Sequence, residues 1–427
     1  MTSPSPWRSL RRAVLGLTLT AALVAAAGVA FILYQTRDEI GARPETVEGL
    51  LAELHHESKL AGFSVAVFDA DGVRYRGGFG FSDLEERKPF TPRTAQRIAS
   101  ISKTTIGLAL LKAQELGHLD IDDPVDEHLP FPVSNPAHPD APITLRHLAT
   151  HTSSLDYNEA VVESLYVDAV DGPVDPSLRD FMRRYFVDGA YGDVRYGPDA
   201  PGDIFGYSNI GAALAAFAVE RAASTDFASF TREHLFDPLG LASADWFGAR
   251  GEEARYYTSS PDRGLEPAAS RGVVLYPARD LILHVDDLAR YGRAVLAKDP
   301  DLLSARSFEQ LLAPGLDASV RGRTVDNSGL FWMIDRNQYG VTHSLVGMNG
   351  GDDGINTMLW LDPVLGVGYA FLGNTGASEL NRVRHILIFQ TLASLGNHLA
   401  LTDPERTGWQ RLRLRAHMLY SRVAGLF

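Results

Sequence analysis

Ser100-Ile101-Ser102-Lys103 begins a predicted helix that extends to about Leu116 and is followed by Gly117. Residues three apart share a helix face, so the Ser100 hydroxyl and the Lys103 amine are predicted neighbours. The positive end of the helix dipole favours an alkoxide at Ser100 and disfavours the charged form of Lys103. An ordinary lysine, with a pKa of about 10.4, is a poor base at neutral pH, so this chemistry requires Lys103 to be buried. The alternative is a serine cap beside a surface lysine.

Strand patterns lie near both ends of the chain, and helical patterns lie between them. An amphipathic helix is predicted over 44–59, followed by a hairpin of strands Phe63–Phe68 and Val73–Phe81. Mostly helical patterns with Pro- and Gly-rich breaks occupy 120–245. Later strands are predicted at Leu330–Ile334, Thr357–Leu361 and Gly368–Leu372, before a closing helix at about Leu380–Leu395. This order predicts one α/β (α+β) unit whose sheet is assembled from both ends of the chain.

Two further motifs accompany the Ser-x-x-Lys pattern: Tyr207-Ser208-Asn209, and Gly347-Met348-Asn349-Gly350-Gly351. Five longer stretches carry the same resemblance: Gly78–Leu84, Leu116–Pro124, Ile143–Leu155, Pro201–Asn209 and Pro238–Leu241. In this order, over about 45–397, the chain resembles the serine β-lactamase-related family. That family includes class C β-lactamases, D-alanyl-D-alanine carboxypeptidases and related esterases.

The resemblance implies a β-lactamase/transpeptidase-like fold, with an antiparallel sheet flanked by helices and a mostly helical insertion over about 120–325. It also implies roles for single residues. Ser100 would be the acylated nucleophile, and Lys103 and Tyr207 would share the work of general base. Asn209 would hydrogen-bond Lys103 or the acyl side of the substrate. The Gly350-Gly351 strand would line the substrate site, with the backbone N–H groups of Ser100 and Gly351 as the oxyanion hole.

One position departs from the family pattern, whose third motif begins with Lys or His, then any residue, then Gly. Alignment through Gly350 and Gly351 places Met348 at the position of the cation. A shifted register that uses His343 lacks the glycine and needs a five-residue insertion. Methionine offers no charge, so recognition of a substrate carboxylate is expected to be weakened. This favours an esterase or amidase-like hydrolase.

Residues 1–36 form a separate segment. Arg8, Arg11 and Arg12 precede 22 uncharged residues, from Ala13 to Tyr34, which would span about 33 Å as a helix. The apolar run is longer than that of an ordinary signal peptide, which favours an uncleaved anchor over a cleaved signal. The positive-inside rule then predicts a single-pass cell-membrane protein with residues 37–427 outside the cytoplasm.

The chain is divided into an anchor over 1–36, a catalytic domain over 37–398 and a C-terminal tail over 399–427. The tail is basic and amphipathic from Thr407 onward, with Trp409 and Arg413 among its residues. It is predicted either to lie on an anionic membrane surface or to pack on its own domain as an ordinary terminal helix.

Composition excludes several classes of function. Of 427 residues none is cysteine, which excludes disulfides, thiol catalysis and cysteine-ligated metal sites. A net charge of −13 argues against a nucleic-acid partner. His147 and His151 lie four residues apart, but no HExxH motif accompanies them, so no metal is expected. No other cofactor is expected either.

The sequence therefore predicts a membrane-anchored, extracytoplasmic serine hydrolase acting on an ester, amide or peptide bond of a small-molecule or peptide substrate. Two alternatives stay open. One is a lapsed family member that binds cell-wall fragments or a protein partner, which Met348 motivates. The other is a β-lactamase or D-Ala-D-Ala carboxypeptidase.

Overall fold

The computed structural model describes residues 25–34, 43–156, 166–168, 177–189, 196–260, 262–269, 271–336, 341, 343–376 and 378–424. In chain order the strands are β1 Gly62–Asp69, β2 Gly72–Asp83, β3 Lys88–Pro89, β4 Ala95–Arg97, β5 Tyr166–Asp168, β6 Tyr257–Ser260, β7 Gly264–Pro267, β8 Arg271–Val273, β9 Ile282–His284, β10 Asn327–Ser328, β11 Met333–Asp335, β12 Leu345–Asp352, β13 Ile355–Asp362 and β14 Val367–Gly373. The helices that follow residues 25–34 (also helical) are α1 Pro44–His56, α2 Ser102–Glu115, α3 Leu145–Ala149, α4 Leu178–Phe186, α5 Asn209–Ala223, α6 Phe227–Thr231, α7 Val285–Ala297, α8 Ala305–Leu312, α9 Glu379–Thr402 and α10 Gly408–Ala424. Short 3₁₀ turns cover Ala99–Ile101, Val125–His128 and Tyr276–Ala278, and a π turn covers Arg232–Phe236.

The main sheet has eight antiparallel strands in the order β10-β11-β12-β13-β14-β1-β2-β3. Strand β1 from the N-terminal half pairs with β14 near the C-terminus, so that Phe63 lies opposite Gly373 and Asp69 opposite Val367. Strands β1 and β14 are buried almost throughout, as expected for strands covered on both faces. The prediction of an antiparallel sheet built from both ends of the chain is confirmed.

Helices cover both faces of this sheet. On one face Tyr369 of β14 packs against Phe389 of α9, with ring centroids 5.3 Å apart. On the other face Phe68 of β1 fills the space beside Gly368 and Gly292, and Gly292 lies in α7. A Cβ at Gly292 would come within 2.6 Å of the Phe68 ring, so the helix can approach the sheet closely only with glycine there.

The helical insertion lies between the two sets of strands, and its helix α5 packs beside α2, which precedes the insertion. Helix α5 is buried along most of its length, which agrees with its Ala-rich sequence. The strand predicted at Leu330–Ile334 is shifted to Met333–Asp335. Residues 345–352, which show no alternating pattern, form strand β12, because backbone pairing with β11 and β13 outweighs the low strand propensity of Gly347, Gly350 and Gly351.

The two ends of the chain are described in part. No helix within the described residues is both long and apolar enough to cross a membrane, and residues 13–24 of the predicted span lie outside those residues. Helix α9 continues to Thr402, so the predicted boundary between 398 and 399 falls inside a helix. In α10, Leu414 and Met418 are buried, whereas Trp409 is 75% exposed.

Candidate active site

Ser100 lies in the 3₁₀ turn that leads into α2, at the junction of the sheet and the helical insertion. The preceding residue, Ala99, has φ +48°, a left-handed conformation that costs a non-glycine residue about 1 kcal/mol or more. The Thr357 hydroxyl of β13 donates a 2.8 Å hydrogen bond to the Ile98 carbonyl. The sheet therefore holds the turn in its strained form, and Ser100 is half-buried with its hydroxyl inside the site.

Lys103 is fully buried in the first turn of α2, three residues after Ser100. Its Nζ lies 3.2 Å from Ser100 Oγ and donates a 2.9 Å hydrogen bond to the Ala278 carbonyl. Burial lowers the pKa of Lys103 well below its ordinary value, Arg279 lowers this pKa further, and Asp352 raises it. The lowered pKa favours the neutral amine, the form that accepts a proton.

Tyr207 approaches Ser100 from the other side. Its Oη donates a 2.8 Å hydrogen bond to Ser100 Oγ, and Lys103 Nζ lies 4.9 Å from the centre of its ring. The tyrosine immediately precedes α5, whose N-terminus is capped by the Ser208 hydroxyl. Three residues from two distant segments therefore meet at one oxygen atom, in the arrangement that the motifs predict.

His151 supports Tyr207 from behind. The two rings are 4.6 Å apart, and His151 Nδ1 accepts a 3.3 Å hydrogen bond from the Ser208 backbone N–H. Burial, with a smaller contribution from Lys103, lowers the pKa of His151 to about 3. The imidazole is therefore neutral at physiological pH and acts as an acceptor that fixes the start of α5.

Asn209 is buried in the first turn of α5. Its side-chain Oδ1 is buried without a hydrogen-bond partner among the described residues. The carbonyl oxygen therefore does not accept the predicted hydrogen bond from Lys103, because the lysine amine is directed at Ala278 and Ser100. Its role on the acyl side of the substrate stays a prediction.

Strand β12 carries the third motif along the edge of the site. Gly350 faces the nucleophile turn: a Cβ there would overlap the Ile98 carbonyl oxygen and the Thr357 hydroxyl. Gly351 is exposed and has open space where a side chain would be. Met348 is 3% exposed and belongs to the hydrophobic core, so it supplies no charge to the site. His343 of the alternative register lies beyond the other end of β12 and contacts Asp362 at 2.6 Å.

Sequence reasoning missed one charged pair at the site. Arg279 Nη2 lies 2.6 Å from Asp352 Oδ2, and the two side chains are only 9% and 14% exposed. Asp352 directly follows Gly351, and Arg279 directly follows the carbonyl that Lys103 contacts. The available signal was Arg279-Asp280, two charges set in the otherwise apolar run from 273 to 283.

The described residues contain no group of three or more His, Asp or Glu side chains that could hold a metal ion. His147 and His151, the pair considered for zinc, serve the backbone instead: His147 caps α3 and His151 accepts from Ser208. The groups that the structure brings together are the Ser100 hydroxyl, the Lys103 amine and the Tyr207 phenol, which is an arrangement suited to nucleophilic catalysis.

Comparison with known proteins identifies the family of the chain. The beta-lactamase family model matches residues 47–393. Penicillin-binding protein 4* of Bacillus subtilis (strain 168) is 29% identical over 186 residues, which are 42% of this chain and 37% of that protein. The match to a second Bacillus subtilis relative covers 55% of that relative. The chain thus spans about half the length, or less, of these two proteins.

Solved structures show the same fold at lower identity. An octameric penicillin-binding protein homologue from Pyrococcus abyssi has a TM-score of 0.67 at 23% identity, over 82% of this chain and 77% of that one. A D-amino acid amidase from Ochrobactrum anthropi has a TM-score of 0.64 at 18% identity, over 82% and 99%. The predicted family is confirmed. With the family model matching most of its length, the chain belongs to the beta-lactamase family.

Proposed function

We propose that the protein hydrolyses an ester or amide bond through an acyl-enzyme on Ser100. The observation that carries this proposal is the double contact at Ser100 Oγ, with Lys103 Nζ at 3.2 Å and Tyr207 Oη at 2.8 Å. A serine cap beside a surface lysine would leave the lysine in solvent, whereas Lys103 is fully buried.

The geometry supports a two-step reaction. Ser100 Oγ attacks the carbonyl carbon while its proton passes to the Lys103–Tyr207 pair, and the same pair returns a proton to the departing alcohol or amine. Water then attacks the acyl-enzyme with the proton transfers repeated, which releases the acid and restores the Ser100 hydroxyl. Lys103 Nζ and Tyr207 Oη both contact Ser100 Oγ, so the base is assigned to the pair.

The oxyanion formed in each step needs donors opposite the base. The backbone N–H groups of Ser100 and Gly351 are the proposed donors, and one such donor is worth about 10²–10³ in rate. Open space at the exposed Gly351 supports the idea that a substrate carbonyl reaches this strand.

The charges at the site support a substrate without a carboxylate next to the scissile bond. Met348 is apolar and buried, and the nearby cation Arg279 contacts Asp352. A penicillin or a D-Ala-D-Ala end would place a carboxylate where neither residue offers an uncompensated positive charge. The resemblance of fold to the D-amino acid amidase is compatible with an amide or ester substrate of this kind.

We also propose that the protein is a single-pass membrane protein with its catalytic domain outside the cytoplasm. Support comes from the uncharged residues 13–34 behind Arg8, Arg11 and Arg12. The exposed Trp409 on α10 is compatible with a second membrane contact, since tryptophan is enriched at membrane interfaces.

The test uses the full chain and a fluorophosphonate probe, which reacts with activated serines and needs no knowledge of the substrate. We expect one adduct on Ser100 by intact mass and peptide mapping, and none in Ser100→Ala. A folded protein that forms no adduct would refute the hydrolase and favour the lapsed, ligand-binding relative. A labelled protein is then given a neutral p-nitrophenyl ester and a penicillin; faster turnover of the penicillin would refute the neutral-substrate proposal.

A further inference from the structure

The residues around Lys103 belong to segments far apart in sequence. The 3₁₀ turn Tyr276–Ala278 and the residues after it are bound to the nucleophile turn at several points. The Ala278 carbonyl accepts from Lys103 Nζ, the Leu281 N–H donates to Ser102 Oγ at 3.2 Å, and the Ile98 N–H donates to the Leu281 carbonyl at 2.9 Å. This segment therefore sets the position of the lysine amine.

The same segment is tied to strand β12 by one ion pair. Arg279, the residue after Ala278, contacts Asp352, the residue after Gly351. One end of this pair is thus next to Ala278, whose carbonyl binds the proposed base Lys103, and the other end is next to Gly351, the proposed oxyanion donor. The separation of those two groups has to match the distance between the attacking oxygen and the developing oxyanion.

We propose that the Arg279–Asp352 ion pair is a positioning device that holds the base Lys103 and the strand residue Gly351 at the separation that acylation needs. The inference rests on the proposed function. Stability alone is a weak explanation, because a buried ion pair is often replaced by apolar side chains without loss of stability. The pair has a specific role because Arg279 is next to the residue that binds Lys103 and Asp352 is next to Gly351.

The pair also acts on Lys103 through its charges, with opposite signs for its two members. Arg279 lowers the pKa of the lysine and Asp352 raises it. The other groups at this amine are His151, which is neutral with a pKa lowered to about 3, and the Tyr207 phenol. Arg97 and Asp280 form a second pair nearby, 3.8 Å apart, and Asp352 contributes to raising the pKa of Arg97.

Removing one member at a time therefore separates positioning from electrostatics. Arg279→Gln removes a cation near Lys103, so the amine takes up a proton more readily. The acid limb of the profile of modification rate against pH therefore moves to higher pH. Asp352→Asn removes an anion, so the limb moves to lower pH. The double variant removes both charges and is expected to return the limb toward its original position, while the mechanical tie stays broken.

The experiment measures the second-order rate of Ser100 modification by the fluorophosphonate between pH 5 and 10 in the full chain. We expect both single variants and the double variant to react about 10–100-fold more slowly than wild type at their optima. Arg279→Lys, which keeps the cation, is expected to recover part of the rate. Arg74→Gln is the control, because it breaks a pair with Asp69 at the opposite end of the sheet; its rate and pH profile should match wild type.

Rates within twofold of wild type in both single variants, or acid limbs that move in the same direction, would overturn the proposal. Thermal unfolding of each variant identifies one that fails to fold; should Arg279→Gln fail, Asp352→Asn and Arg279→Lys decide the outcome. A wild-type protein that is not labelled refutes the proposed function itself, which distinguishes the two failures.

Discussion

Gly350 offers the sharpest test of how the sheet supports the nucleophile. In Gly350→Ala the added methyl overlaps the Ile98 carbonyl oxygen and the Thr357 hydroxyl, and lies 3.1 Å from the Ala99 methyl. Normal carbon contacts of about 3.5–4 Å require the strand and the nucleophile turn to separate by about 1 Å. That movement also breaks the 2.8 Å hydrogen bond from Thr357 to Ile98.

The cost follows from these two losses. Overpacking of this kind costs about 1–3 kcal/mol, and a buried hydrogen bond contributes about 1 kcal/mol, so the free energy of unfolding should fall by about 2–4 kcal/mol. A 1 Å displacement of a reacting group costs about 10²-fold in rate. Labelling of Ser100 in the folded variant should therefore slow by about that factor.

The assay is urea unfolding of the full chain together with fluorophosphonate labelling below the unfolding transition. Gly351→Ala is the matched control for stability, because a methyl there meets no atom within 4 Å. It should be neutral, or stabilising by up to about 1 kcal/mol, since alanine loses less backbone freedom than glycine. Equal unfolding free energies for the two alanine variants would show that strand β12 does not press on the nucleophile turn.

Two further predictions concern the residues around the base. Tyr207→Phe keeps the ring against His151 but removes the 2.8 Å hydrogen bond to Ser100. Labelling of Ser100 should slow by about 10²–10⁴-fold if the phenol transfers the proton. A loss of rate below tenfold would mean that the phenol only orients Ser100. His151 is neutral when folded, with a pKa of about 3, so the unfolded chain binds one more proton below pH about 6.5 and stability falls as pH falls from there toward 3. His151→Asn keeps an acceptor for the Ser208 N–H and tolerates the φ of +57° at this position. The unfolding free energy of this variant should decline less between pH 7 and pH 5 than that of wild type. Parallel declines would mean that His151 does not cause the loss of stability at low pH.

Local spacing accounts for the part of the site that sequence could predict. Ser100 and Lys103 are three residues apart, so helix geometry alone brings them together, and the structure places the two side-chain atoms 3.2 Å apart. Tyr207 is 107 residues from Ser100, and its contact depends on how α5 packs beside α2. Only the order of motifs within a family resemblance could place it.

Other features depend on tertiary structure that no local pattern encodes. Strand β12 has no strand pattern of its own, because three of its eight residues are glycine, so only the family resemblance indicated a strand at Gly350-Gly351. The Arg279–Asp352 pair joins residues that meet only after the sheet has formed. The left-handed Ala99 is invisible in sequence, because alanine has no preference for that conformation.

The pairing of β1 with β14 has a consequence for how the protein is made. Phe63 is synthesised about 300 residues before its partner Gly373, which at about 5–20 residues per second is an interval of roughly 15–60 seconds. During that interval β1 can pair with β2 but leaves its other edge open to neighbouring chains. The turn that contains Ser100 likewise forms its contacts with Thr357 and Gly350 only after those residues have been synthesised. A chain that stops before about residue 350 would therefore lack the strands that hold Ser100 and would leave an unpaired edge of β1 prone to aggregation.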